Sequence, residues 1–463
     1  MTRIAFKTLA GAATALALAG VIAACGGSGA KPEAAAASST GTPPLPSEGA
    51  LPNGTGSASY VVLAWNDLGM HCLNPSYDAA VILPPYNTVV AQVVKRGNPP
   101  QPVTSGLTVS YRILNNTKSS TKGTFGQFWT NMQQLFGVTL PVDRGLNLDD
   151  PAVHNGLSGT MLAKGDHFLA SGIPLTPIND QGVWNPYQVG EITVKDVGGK
   201  VVAKTTTTVP TSDEINCSKC HGKDALNDVL KKHDAAHGTQ LFANKPVLCA
   251  SCHGSPALGA TGPGSSGMYL SQAVHGFHAT RGASCYDCHP GPTTQCSRSL
   301  AHTAADGNCT SCHGDMANVA NTIKNGTRVP WANEPKCATC HTGVAGVDTG
   351  TALYRNSRGH GNLYCSACHG SPHAMVPTRQ ASDNAQAIQY QGKAKAIASC
   401  AACHDSNHGG GFSEFAHKHT AAGDNQPSAC NVCHTGFQDV GQQAKWPHQF
   451  QWKTRGSGTS GGD

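Results

Sequence analysis

The sequence predicts a β-rich N-terminal domain, most simply a β-sandwich, followed by an array of short helices and loops with little other regular structure. Two observations predict this division. Apolar, β-branched runs bounded by Pro, Gly and Asn recur through residues 60–211, which is the pattern of β-strands. Residues 212–463 instead carry eight Cys-x-x-Cys-His motifs, 24 to 36 residues apart, among few large apolar residues.

Residues 1–24 are predicted to be a lipoprotein signal peptide. Basic residues precede a small and apolar run over 8–22, which is too short to span a bilayer as a helix. The run ends in Ile-Ala-Ala-Cys, which is typical of a bacterial lipobox and makes Cys25 the expected lipidation site. An ordinary signal peptide, cleaved near the alanine-rich stretch, is the alternative. Gly26 stands where an inner-membrane retention signal would place Asp, so we expect an outer-membrane lipoprotein that faces the periplasm or the cell surface.

Between the leader and the array lie a linker and the predicted β domain. Residues 25–59 are Gly, Ala, Ser and Pro without periodicity, as in a flexible tether. Two glycines between the last two predicted strands indicate a hairpin turn. The predicted strands are 60–65, 89–94, 107–114, 191–197 and 201–209.

Sixteen of the nineteen cysteines fall into eight Cys-x-x-Cys pairs, each followed at once by His. Two thiols at this spacing reach the two vinyl groups of one porphyrin, and the adjacent imidazole faces the iron. Structural zinc sites and redox-active Cys pairs do not require a His at that position. We therefore predict eight haem c groups. The predicted thioether residues are Cys217, Cys220, Cys249, Cys252, Cys285, Cys288, Cys309, Cys312, Cys337, Cys340, Cys365, Cys368, Cys400, Cys403, Cys430 and Cys433. The predicted proximal iron ligands are His221, His253, His289, His313, His341, His369, His404 and His434.

The composition of the array supports the same conclusion. Residues 281–330 contain only six large apolar side chains. Such a segment cannot bury enough apolar surface to offset the entropy of ordering it. Stacked porphyrins are therefore the expected core of this region.

Each haem also needs an occupant for its sixth position. A second imidazole closes the site, a Met raises the potential, and an open position permits catalysis. The predicted distal ligands are His237, His275, His278, His302, His360, His373, His408 and His417, with His233, His419 and His448 as alternatives. His71, His154 and His167 are interpreted as structural, although Met70 and His71 form a weaker candidate ligand pair. Cys72 and Cys296 are either a disulfide or two buried thiols.

The motif array, the lipobox and the segment Cys365-Ser-Ala-Cys-His-Gly-Ser-Pro-His373 resemble outer-membrane multihaem, here octahaem, c-type cytochromes of metal-reducing bacteria. Residues 65–72, Trp-Asn-Asp-Leu-Gly-Met-His-Cys, are similar to the opening of a β domain that accompanies some of them. The resemblance implies bis-histidine haems and electron export to metal oxides, other c-type cytochromes or porin–cytochrome complexes. Some members of this family form filaments, so the resemblance also allows a homo-oligomer or filament here.

The sequence favours an electron carrier over an enzyme, because all eight motifs end in His and none in Lys. The alternatives are an octahaem reductase or oxidase of nitrogen or sulfur compounds, or a filament-forming cytochrome subunit. The formal net charge of +5 is mild and without a basic tract, which argues against nucleic acid as a partner.

Overall fold

A computed structural model describes residues 59–97, 99–215, 217–300, 302, 309–339 and 353–404. The predicted signal peptide and nearly all of the predicted linker lie outside these residues. Within them, no helix combines the length and the apolar character needed to cross a membrane.

The strands concentrate in the N-terminal half of the described chain and the short helices in the C-terminal half, so the predicted β-rich region followed by short helices is confirmed. The described strands are β1 (Tyr60–Asn66), β2 (Ala80–Val81), β3 (Val89–Lys95), β4 (Gln101–Pro102), β5 (Leu107–Ile113), β6 (Ser158–Thr160), β7 (Leu162–Lys164), β8 (His167–Ala170), β9 (Tyr187–Asp196), β10 (Val201–Pro210) and β11 (Val247–Leu248). The described α-helices are α1 (Gly126–Phe136), α2 (Ser218–His221), α3 (Ala225–His237), α4 (Leu270–His278), α5 (Thr310–His313), α6 (Met316–Lys324), α7 (Cys365–His369) and α8 (Ala381–Gln391).

Nine of the described strands form two antiparallel sheets that share one hydrophobic core. The first sheet has the order β1-β3-β8-β7, with β4 beside β3, and the second has the order β10-β9-β5-β6. Val62 and Val93 of the first sheet and Val109 and Ile192 of the second are fully buried in the same cluster. Alternate residues of a strand point to opposite faces, so one face of each sheet builds this core.

Strand β1 is buried on both faces, which explains why its sequence is almost continuously apolar. While Val62 faces the core between the sheets, Val61, Leu63 and Trp65 pack against residues of the motif array, including Tyr364 and Tyr390. The Trp65 and Tyr364 rings lie 5.4 Å apart. The array therefore packs directly on the outer face of the first sheet.

Helix α8 covers the open edges of both sheets. The Tyr390 hydroxyl donates to the Val62 carbonyl at 2.7 Å, and the Ala64 N–H of the same edge strand donates to Gln386. Gln389 donates to the Lys204 carbonyl of β10 at 2.8 Å. Backbone groups at a sheet edge need partners when they are buried, and this helix provides them.

Helix α1 is an element that the strand pattern does not predict. Its apolar residues fall at positions 128, 129, 132, 135 and 136, which is helical spacing, and all five side chains are buried. They pack with Tyr77 and with Leu248 of β11. Because β11 pairs in parallel with β2, this cluster holds the segment that leads directly into the motif at Cys249.

Candidate haem centres

We number the Cys-x-x-Cys-His motifs first to eighth in chain order. In the first four motifs, the proximal His N–H donates to the carbonyl of the first Cys, at 2.9 Å for His221, 3.0 Å for His253, 2.7 Å for His289 and 2.9 Å for His313. In the sixth motif, helix α7 itself runs from Cys365 to His369. One helical turn thus brings both thiols and the imidazole of each motif together, as attachment to one porphyrin requires.

Several predicted site residues lie outside the described chain, and for these the predictions stand as made. They are Cys25, Cys340, His341, His408, His417, Cys430, Cys433 and His434, together with the side chains of His360 and Cys400.

Three proximal imidazoles each face an imidazole from outside their own motif. The ring centres of His289 and His275 are 5.9 Å apart with planes 10° from parallel, and those of His313 and His373 are 6.2 Å apart at 24°. The rings of His253 and His233 are 6.4 Å apart and nearly perpendicular. Two imidazoles bound to one iron, at metal–nitrogen distances of about 2 Å, place their ring centres about 6 Å apart. The three pairs therefore fit haem with His on both axial sides.

The three non-motif imidazoles are also oriented for this role. Nδ1 of His275 bonds the Ser271 carbonyl at 2.7 Å, and Nδ1 of His373 bonds the Leu68 carbonyl at 3.0 Å. Nδ1 of His233 bonds the Thr239 hydroxyl at 3.0 Å. A bond at Nδ1 fixes the tautomer and leaves Nε2 for a metal, which is how ligating histidines are usually held.

Two proximal imidazoles are also suited to binding iron. His221 is held through its Nδ1, and His289 stays neutral. Nδ1 of His221 bonds the Asp228 carboxylate at 2.7 Å. Burial and the neighbouring imidazoles of His275 and His313 lower the pKa of His289 to about 4. Because a neutral imidazole is the form that binds metal, His289 is ready to bind iron across the physiological pH range.

The remaining predicted distal residues are placed less decisively. On helix α3, His233 faces His253, while the predicted ligand His237 lies beside His233 with ring centres 4.7 Å apart. Nδ1 of His278 bonds the Val274 carbonyl at 2.8 Å, so its Nε2 also points away from the helix backbone. The His302 side chain is partly buried.

Two of the three histidines of the β region have other partners. Nε2 of His71 bonds Asp67 at 2.8 Å, so the nitrogen that would bind iron is engaged by a carboxylate. His167 bonds Asp166 at 3.1 Å and stacks edge-on against Tyr364. These contacts agree with structural roles for both residues.

Successive haem motifs contact one another in an order that differs from chain order. The Cys217 thiol lies close enough to Cys249 to raise the pKa of its thiol, so the first motif neighbours the second. The first motif meets the third through an ion pair of 2.7 Å between Lys219 and Asp287. The third meets the fourth through Cys285 and Cys309. The described motifs in this part of the array thus follow the order second, first, third, fourth.

The row continues through His373 into the sixth and seventh motifs. His373 pairs with His313 of the fourth motif but lies four residues after His369 of the sixth. The thiol of Cys368, in the sixth motif, interacts with that of Cys403 in the seventh. Tyr354 lies against cysteines of both the fifth and the sixth motifs. The motifs that the structure describes are therefore joined into one row.

Cys72 and Cys296, the two cysteines of the described chain outside the motifs, lie at the centre of this row. Both are free thiols. Burial raises the pKa of Cys72 to about 12, with smaller contributions from nearby Cys296 and Cys288. The neighbouring Cys296, as a thiolate, raises the pKa of His373 to about 9, so this imidazole would release a proton on binding iron. The structure thus brings Cys296 to the candidate iron ligand His373, a contact that the sequence does not reveal.

Comparison with known protein families matches residues 277–370 to the family described as cytochrome c3. The matched segment is about a fifth of the chain and contains the third to sixth motifs. No curated protein and no solved structure matches the chain. The family match shows a multihaem c-type cytochrome segment, with covalently bound haem and a role in electron transfer.

Proposed function

We propose that this protein is an exported electron carrier in which eight covalently bound haems form one continuous row. The observation that carries the proposal is the order in which the described motifs neighbour one another, which runs from the second through the first and third to the fourth, and then by way of His373 to the sixth and seventh. A row of neighbouring haems carries electrons through a protein, as an electron carrier requires.

The chain's own residues do three things in this proposal. Haem c, when bound, supplies reversible one-electron chemistry at its iron. The motif cysteines would hold the porphyrin, and the proximal imidazoles would bind its iron. His233, His275 and His373 would supply the second imidazole of the second, third and fourth centres. A closed position with two imidazoles disfavours substrate binding and keeps the potential low, as a carrier requires.

We also propose a place and partners for the carrier. The lipobox at Cys25 and the resemblance of the motif array support an outer-membrane lipoprotein. Its partners would be other c-type cytochromes or porin–cytochrome complexes on one side and extracellular acceptors such as ferric oxides on the other.

The first experiment counts and tests the haems of purified full-length protein. Mass spectrometry should find eight haems attached, and the reduced protein should bind no carbon monoxide and be reoxidised by ferric oxide. Stoichiometric carbon monoxide binding, or turnover of nitrite or sulfite, would instead support the reductase alternative.

The second experiment interrupts the row. The double variant Cys309→Ala/Cys312→Ala removes the attachment site of the fourth motif, in the middle of the row. On an electrode it should split haem reduction into a fast and a slow phase. The matched variant Cys249→Ala/Cys252→Ala removes the second motif, which ends the part of the row that the structure describes, and should leave a single phase. A single phase in both variants would contradict a continuous row.

A further inference from the structure

The β region contributes a turn that lies directly against the candidate ligand His373. Residues 66–69, which we call the 66–69 turn, begin at the last residue of strand β1. The Leu68 carbonyl of this turn accepts a hydrogen bond from Nδ1 of His373 at 3.0 Å, across about 300 residues of sequence. Hydrogen-bond partners of this kind fix the orientation of a metal-bound imidazole and raise its basicity.

The turn is itself rigidly held. The Asn66 side chain is 1% exposed, and its carbonyl oxygen accepts from the Gly69 N–H at 2.7 Å, which closes the turn. Its amide donates to the Asn87 side chain at 2.6 Å and to the Thr88 carbonyl at 2.7 Å. The second bond ties the turn to the start of β3, in the centre of the first sheet.

Two further contacts lock the turn to the segment that carries His373. The Ser371 hydroxyl donates to the backbone carbonyl of Asn66 at 2.6 Å. The buried Arg298 guanidinium donates to the Gly69 carbonyl at 2.7 Å, and the Arg298 backbone N–H donates to the His373 carbonyl at 2.9 Å. Arg298 is held in turn by a bidentate ion pair with Asp383. Backbone and side chain of His373 are thus both set by groups bound to the turn.

Gly69 is the residue at which the 66–69 turn lies closest to the segment that carries His373. Its φ of +79° is strained for any other residue. A Cβ there would lie 2.9 Å from Cβ of Ser371 and 3.3 Å from the backbone nitrogen of His373. Separations below about 3 Å between such atoms force one side to move. Any side chain at this position would therefore displace the segment that carries His373.

We propose that the 66–69 turn is a positioning element for haem ligation: it holds His373 against the iron of the fourth motif, opposite His313. This inference rests on the proposed assignment of His373 as an axial ligand. It gives the β region a function in the electron-transfer row, since the ligation of one haem depends on a loop of the β-sheet.

The experiment uses full-length holo-protein and low-temperature paramagnetic resonance of the ferric state. Gly69→Ala should convert the fourth-motif haem to high spin or change its low-spin signal, which is about one eighth of the total haem intensity. Gly106→Ala is the matched control, because Gly106 has a similar φ of +70° but no atom within 4 Å of the point that a Cβ would occupy. It should leave the spectrum unchanged. Ser371→Ala, a milder change that deletes only the bond to Asn66, should alter the same signal as Gly69→Ala.

His373→Ala separates the two levels of the proposal. If this variant gains one high-spin haem while the Gly69→Ala and Ser371→Ala spectra match the parent, the ligand assignment stands and the positioning role is overturned. If the His373→Ala spectrum is itself unchanged, His373 is not the ligand and the inference fails with the assignment. An equal effect of Gly106→Ala would assign the change to backbone strain and would also overturn it.

Discussion

Replacing Tyr390 by Phe tests whether the motif array and the β region form one folding unit. The Tyr390 hydroxyl is buried, donates to the Val62 carbonyl at 2.7 Å and accepts from the Val62 N–H at 3.2 Å. Both Val62 groups belong to the edge strand β1. Phenylalanine keeps the ring but leaves a buried donor and a buried acceptor without this partner.

The expected cost follows from these contacts. A buried polar group that loses its hydrogen bond costs about 1–3 kcal/mol, so two such groups should lower the free energy of unfolding by about 2–6 kcal/mol. Tyr187→Phe is a matched control, because the Tyr187 hydroxyl makes the same pair of bonds to the Gln295 carbonyl and N–H, at 3.0 and 2.7 Å, but next to solvent. Water can replace those bonds, and the expected loss is about 0.5–1 kcal/mol.

Equilibrium denaturation with guanidinium, with the haems attached, measures both variants. Far-ultraviolet circular dichroism follows the β-sheets, and the tryptophan fluorescence, to which Trp65 beneath the array contributes, follows the loss of tertiary packing. The prediction is refuted if Tyr390→Phe unfolds within about 0.5 kcal/mol of the parent, or if Tyr187→Phe loses as much. The first outcome would show that the Tyr390 bonds of helix α8 are not required at the edge of the first sheet, and the second would show that burial does not set the cost of losing such bonds.

Three further predictions follow from the structure and the sequence. His275→Ala should turn one ferric low-spin haem high-spin by paramagnetic resonance, whereas His71→Ala, whose Nε2 is held by Asp67, should not; equal spectra would contradict the pairing with His289. Burial alone would raise the pKa of Asp166, but Arg358 and His167 hold it below its ordinary 3.8. The carboxylate therefore stabilises the fold at neutral pH and loses this effect as pH falls through the lowered pKa, so Asp166→Asn should be less stable at pH 6 and lose less between pH 6 and pH 3 in urea titrations. Cys25→Ser should move the protein from the membrane to the soluble fraction, and continued pelleting would contradict lipid anchoring.

The sequence by itself determined the parts of this protein that depend on local spacing. Haem attachment needs only two Cys, two intervening residues and a His, and one helical turn brings these together wherever they occur. The five predicted strands likewise arise from local alternation of apolar residues, and each is present with ends shifted by at most four residues. The limits of the predicted domains stay a prediction, although Leu73 and Ser212 share a backbone hydrogen bond of 2.9 Å across the proposed boundary.

Only the tertiary structure decided which imidazoles face each other. His233 and His237 lie one turn apart on the same face of α3, so their spacing cannot distinguish between them, yet it is His233 that faces His253. His373 follows the sixth motif in sequence but pairs with the fourth, because its ring is oriented by Leu68 and its backbone by Arg298. Contacts between residues about 300 positions apart leave no periodic trace in a single sequence. They arise only when the array packs on the outer face of the first sheet.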